Sequence, residues 1–130
     1  MSRASERGAV AVEFAIVAPL LVMLLLGIME FGRAYNAQAS LSAAAREGVR
    51  VMAITNNAAA ARTAAKNTAL SLRPALTDAN IVFRDLDAPT SSTCVPGHRM
   101  SITITYNLST MTGIAGPFPM TGRGAMLCGG

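Results

Sequence analysis

The chain opens on a short polar stretch, passes through one long apolar segment, and only then begins to alternate. From Phe14 to Met29 there are 16 residues without a formal charge, and counting from Ala9, which takes in Glu13, the run reaches 21. About 20 apolar residues suffice for a helix to cross the hydrocarbon core of a bilayer. Residues 9–29 are therefore read as a transmembrane helix. Pro19 falls inside it, where neighbouring helices can re-satisfy the carbonyl that proline frees. Beyond Met29 the period stays helical to about Ile54. Tyr35, Gln38, Ser42, Ala45, Val49 and Met52 recur at three- and four-residue steps along a stripe led by Phe31. The stripe is made largely of small residues, which permit close helix approach. Residues 30–54 are expected as an exported helical stem, packed on another subunit or on this chain's own small domain.

Thr55-Asn56-Asn57 breaks the helical pattern, since Asn favours caps and turns. A second helix is expected from Ala58 to about Leu72, closed by Pro74. It is rich in alanine, so it must lean on other elements. The remaining pattern is β. Asn80-Ile81-Val82-Phe83-Arg84 reads as a short strand. Ser101-Ile102-Thr103-Ile104-Thr105-Tyr106 alternates strictly, with Ile102 and Ile104 expected to face the helices and Ser101, Thr103 and Thr105 the solvent. Residues 113–119 hold two glycines and two prolines and read as a loop, and residues 121–127 as a third strand. The expected fold class is α+β: a long N-terminal helix, a second helix, and a small three-stranded antiparallel sheet, with residues 55–130 as the small exported domain.

Composition adjusts this picture at a few points. The 130 residues leave room for one small domain beyond the membrane segment. Hydrophobic residues make up 52 % but aromatics only 5 %, and Trp is absent, so a large aromatic core is excluded. The net charge is +4. Arg33, Arg46, Arg50, Arg62 and Lys66 are scattered rather than gathered into a stripe, which argues against nucleic acid as a partner. Arg3 and Arg7 precede the apolar run while Glu30 and Arg33 nearly cancel after it, so the positive-inside rule puts the N-terminus in the cytoplasm. The two cysteines, Cys94 and Cys128, then lie in an oxidising compartment and are expected to form a disulfide. Closing a loop of about 35 residues contributes roughly 3–4 kcal/mol in the chain-entropy model. His98 alone could not complete a zinc site with them.

Little of the chain points to catalysis. Asp85 and Asp87 flank Leu86 and read as a solvated loop rather than a cation site. His98, beside Arg99 in a turn after Pro96-Gly97, has no Ser, Cys or Asp constellation that sequence spacing supports. No glycine-rich phosphate loop follows a strand. The eight methionines read as plastic packing. The chain is expected not to be an enzyme and to need no cofactor or metal.

The N-terminus allows three readings. A secretory signal peptide would be cut after Ala39, in the pattern Ala37-Gln38-Ala39, but the apolar run is long for one. An uncleaved signal anchor fits the apolar run but leaves Glu13 unexplained. A charged residue inside a spanning segment costs roughly 2.5–3.5 kcal/mol on insertion scales. Cleavage on the cytoplasmic side after Gly8, by a prepilin-type peptidase, accounts for Gly8, Glu13 and Phe14 together.

Gly8-Ala-Val-Ala-Val-Glu13-Phe14 resembles the processing site of type IV pilin-like proteins of the tight-adherence (Flp) class. The whole run from Gly8 through Glu30-Phe31-Gly32-Arg33, with Ala45-Arg46-Glu47-Gly48 in register after it, is similar to the TadE-like family. The resemblance covers residues 7 to about 54 and is looser beyond, over Cys94-Val95-Pro96-Gly97 and the strand that follows. It implies a leader of residues 1–8, cleavage between Gly8 and Ala9, and a recognition and assembly role for Glu13 and Phe14. It further implies a minor pilin or pseudopilin in a bacterial inner membrane, with its C-terminal domain in the periplasm or outside the cell. The implied partners are the prepilin-type peptidase, other pilin or pseudopilin subunits, inner-membrane pilus assembly proteins and the lipid bilayer. The freed amino group of Ala9 would offer Glu13 a cation, and a pair about 4 Å apart attracts by about 4 kcal/mol at an effective dielectric near 20. The alternative is an uncleaved single-pass membrane protein whose exported domain scaffolds or binds.

Overall fold

Helix α1 runs from Arg3 to Thr55, through Pro19, in a computed structural model that describes residues 3–129. Helix α2 spans Ala58–Thr68, a 3-10 turn covers Asp78–Asn80, and three strands follow: β1 (Ile81–Asp85), β2 (Arg99–Leu108) and β3 (Phe118–Leu127). The chain divides into two compact units, one up to Arg33 and one from Ala34 onward.

The first unit is helix alone. Val10, Val12, Phe14, Ile16, Leu20, Leu24 and Ile28 are all exposed, on every side of the helix. A helix apolar all round belongs in a membrane or a large core. By length and composition this one can cross a membrane, with a mean hydropathy of 2.6 over its best window. Met1 and Ser2 of the expected leader lie outside the described residues.

The second unit takes in residues 34–54 of the expected stem together with α2 and the sheet. The sheet is antiparallel, in the order β1-β2-β3. Ile81 faces Ile104 and Phe83 faces Ile102, while Ile102 faces Gly124 and Ile104 faces Gly122. Alternation sets the inner face. Met100, Ile102, Ile104, Tyr106 and Leu108 of β2 are buried with Ile81 and Phe83 of β1, whereas Thr105 and Val82 are exposed. The face that α1 contributes is Ala37, Leu41, Ala44, Ala45, Gly48, Val49, Met52 and Ala53. This corrects the stripe expected from the sequence. Ala45, Val49 and Met52 belong to it, but Tyr35 and Phe31 are exposed and Gln38 and Ser42 lie at its margin.

Three glycines let the layers meet. A Cβ on Gly122 would stand 2.5 Å from the carbonyl oxygen of Leu41, and one on Gly124 3.0 Å from that of Ala45. Strand β3 therefore lies directly on the α1 backbone. On the next face of the helix, a Cβ on Gly48 would meet Ile102 Cδ1 at 2.7 Å and Ala65 Cβ at 3.2 Å, so α1 also touches α2 there. Ala61 and Ala65 are the buried residues of α2, small enough for that approach. Strand β3 and α1 run in the same direction. Gln38 Nε2 donates to the Thr121 carbonyl at 3.0 Å, Gly122 sits over Leu41, Gly124 over Ala45, and the Gly129 N–H donates to the Ala53 carbonyl at 3.1 Å.

Local chemistry sets the helix ends. Asn56 adopts φ 48°, a left-handed conformation that Asn tolerates, and its N–H donates to the Met52 carbonyl, closing α1. Asn57 is the N-cap of α2, its side chain accepting from the Ala60 N–H at 3.1 Å. Helix α2 stops at Thr68, short of Leu72. The Ala69 N–H is shared between the Ala65 and Lys66 carbonyls, and the residues after it turn.

Candidate functional site

The expected processing and assembly residues all lie on the first unit's helix. Gly8 is helical, and a Cβ there would meet nothing within 4 Å. Glycine in a helix interior costs about 1 kcal/mol relative to alanine. Ala9 and Glu13 are four residues apart and share a helix face. Phe14, the next residue, is 71 % exposed and points to a different part of the surface. Among the described residues Glu13 has no ion-pair or hydrogen-bond partner. Glu30 is bonded to Arg33 at 3.5 Å, one turn on.

A second concentration of chemistry lies at the end of the sheet where α1 finishes. Cys94 and Cys128 are joined, with Cα atoms 5.6 Å apart and both residues buried. The bridge is held on three sides. The Cys94 N–H donates to Asn56 Oδ1 at 2.7 Å, the Cys128 N–H to the His98 carbonyl at 2.8 Å, and the Gly97 N–H to the Cys128 carbonyl at 3.2 Å.

Beside it is a pair that the sequence did not announce. Asp85 is fully buried, and its Oδ2 lies 2.7 Å from His98 Nδ1. This corrects the reading of Asp85 as solvated and of His98 as lacking an Asp. The signal was present in the alternation: Asp85 follows Ile81 and Phe83 at two-residue steps and so shares their inward face. Its other oxygen, Oδ1, accepts the N–H groups of Asp87 and Ala88 at 2.8 and 3.1 Å. Burial on its own pushes the carboxyl up; the hydrogen bond from His98 and those two amides outweigh it and hold Asp85 below the usual carboxylate range. Asp87 is held down as well, by the backbone N–H of Arg99 and then by its side chain at 3.2 Å.

An Asp–His pair is the orienting half of a hydrolytic triad. Here no hydroxyl or thiol among the described residues hydrogen-bonds the His98 ring. What the pair does in this fold is tie the loop between β1 and β2 to the end of the sheet. No three of His, Cys, Asp and Glu converge as metal ligands among the described residues.

Comparison with known families bears on the first of these regions. The TadE-like protein family matches residues 8–50, beginning at Gly8 itself. This segment is TadE-like. No curated protein and no solved structure matches the chain. The TadE-like segment takes in the whole apolar run and the part of α1 that packs against β3, up to Arg50. It associates the chain with the tight-adherence (Flp) pilus system, its assembly components and a membrane-anchored protein. The disulfide and the Asp85–His98 pair lie outside it.

Proposed function

We propose that this chain is a minor pilin or pseudopilin of a tight-adherence pilus system, acting in pilus biogenesis or adhesion without catalysing a reaction. A prepilin-type peptidase cuts it after Gly8, and residues 9–29 hold it in the inner membrane with the N-terminus cytoplasmic. The domain that follows is exported. The observation that carries this reading is the TadE-like match starting at Gly8 and running unbroken across the apolar segment.

The chemistry is consistent with it. Cleavage turns Ala9 into a free amine and Glu13 into the fifth residue of the mature chain. A carboxylate in a bilayer favours a cationic partner, and the Ala9 amine of this or a neighbouring subunit supplies one. The pairing would set the register between subunits and so favour ordered assembly with other pilin or pseudopilin subunits. A disulfide-closed domain fits an oxidising compartment.

Mass spectrometry of the chain isolated from membranes tests the processing step. A mature N-terminus at Ala9 is expected. A chain that still begins at Met1 or Ser2, in cells with an active prepilin peptidase, would falsify cleavage and leave an uncleaved anchor.

A further inference from the structure

The loop joining β2 to β3 has an unusual surface. No residue from Met100 to Gly122 carries a formal charge, and no Asp or Glu follows Asp87 anywhere in the chain. Within that stretch Ile114 is 85 % exposed, Met111 54 % and Phe118 36 %. The sheet register ends at Leu108 facing Phe118, so residues 109–117 project past the last ladder pair. The rest of the folded unit is strongly charged, with eight Arg or Lys against four Asp or Glu from Ala34 onward.

Where this tip stands in the folded unit follows from the direction of β3 along α1. Thr121 is bonded to Gln38. From Gln38 back to Ala34 the helix rises about 6 Å, while from Thr121 back to Phe118 the strand covers about 10 Å. The tip therefore leaves the unit at its Ala34 end and reaches beyond that residue. The disulfide and the Asp85–His98 pair occupy the opposite end, beside Ala53 and Asn56. Ala34 is five positions beyond Met29, the last of the apolar run. Even fully extended that stretch spans at most about 18 Å, so the Ala34 end of the unit stays close to the bilayer surface whatever angle the chain takes there. Arg73 is at the same end, next to Pro74, whose carbonyl accepts from the Tyr106 hydroxyl at 2.7 Å. Asp78, on the 3-10 turn, is bound to Lys66 at 2.7 Å.

We infer that the β2–β3 tip is a second membrane contact, with Ile114 and Phe118 inserting into the interfacial layer of the leaflet from which α1 emerges. The occupant of this apolar surface is lipid. An uncharged tip on a cationic domain, tethered within a few residues of a spanning helix, suits an interface with anionic headgroups. Two contacts fix the orientation of the exported domain at the membrane, which one helix does not. The inference rests on the reading of residues 9–29 as a membrane span.

The absence of Trp makes the test direct. Full-length protein carrying Ile114→Trp, reconstituted in vesicles of phosphatidylethanolamine and phosphatidylglycerol, is compared with Val95→Trp at the far end and Leu21→Trp in the span. Lipids brominated on their acyl chains quench only tryptophans that enter the bilayer. The expected result is strong quenching of Leu21→Trp, quenching and a blue-shifted emission for Ile114→Trp, and several-fold weaker quenching of Val95→Trp. Quenching of Leu21→Trp with Ile114→Trp no better quenched than Val95→Trp overturns the inference and leaves the span intact. An Ile114→Trp emission that shifts only as the protein-to-lipid ratio rises, without quenching, assigns the tip to another protein copy and overturns it too. If Leu21→Trp is itself unquenched, the span reading falls and the tip contact with it.

Discussion

Gly122→Ala probes whether β3 lies on the α1 backbone as described. The added Cβ would sit 2.5 Å from the Leu41 carbonyl oxygen and 2.8 Å from its carbon, where real Cβ atoms essentially never come within 3.0 Å. The obstacle is main chain, so no rotamer change relieves it. Helix and strand must part by about half an ångström along a contact that also includes Gly124. Overpacking of this kind costs about 1–3 kcal/mol. Alanine also restricts the unfolded chain relative to glycine, which returns about 0.4–1 kcal/mol. A net loss of about 1–2 kcal/mol remains, or a Tm lowered by about 5–15 °C for a unit of this size. Gly48→Ala is the internal comparison. Its nearest neighbour is the end of the Ile102 side chain, which can turn aside, and alanine gains about 0.8–1 kcal/mol of helix propensity. Thermal unfolding of full-length protein in detergent, followed by calorimetry with the disulfide intact, measures both. Equal or greater damage from Gly48→Ala, or a Gly122→Ala variant as stable as the parent, would refute the packing argument.

Three further outcomes are expected. Replacing Cys94 and Cys128 by alanine together lowers stability by about 3–4 kcal/mol, and adding reductant to the parent reproduces most of that loss in the same melting assay. Because Asp85 is held below its ordinary value of 3.8, its hydrogen bonds contribute stability that is present above that value and lost as pH falls through the lower folded-state value. Asp85→Asn should be less stable at neutral pH and show a flatter decline at acid pH; a Tm profile as steep as the parent's assigns the acid transition to other groups. Glu13→Ala should still insert, since it removes an insertion cost of roughly 2.5–3.5 kcal/mol, yet assemble poorly with other subunits; assembly at the parental level, measured by co-isolation or crosslinking, sinks the register role.

What could be read from the sequence depended on contrast between neighbouring side chains. Ile102 and Ile104 stand between threonines, so the inner face of β2 was plain, and the Asn57 cap follows from its chemistry alone. The stripe on α1 was harder. Ala37, Ala44, Gly48 and Ala53 differ little in hydropathy from the exposed Ala39 and Ala43, and the buried face is chosen by what fits under β3 and α2 rather than by what avoids water. The same reasoning covers Gly122 and Gly124. Their two-residue spacing was visible, but a glycine pair in a strand does not say which backbone approaches it. Asp85 and His98 are 13 positions apart and meet only because β1 and β2 pair with Asp85 facing Met100. Helix α2 was expected to run too far because nothing in the alanine-rich sequence marks where Ala69 begins to turn. The TadE-like resemblance from Gly8 onward was legible because it lies in residue types at fixed positions and does not depend on tertiary contacts.

The alignment of β3 with α1 has a mechanical side. A pull along residues 34–54 of α1 is also a pull along the strand that lies on it. Ladder hydrogen bonds run perpendicular to the strands. Such a pull loads the β2–β3 ladder in shear, and its ten facing pairs, from Arg99 with Leu127 to Leu108 with Phe118, resist together instead of parting one after another.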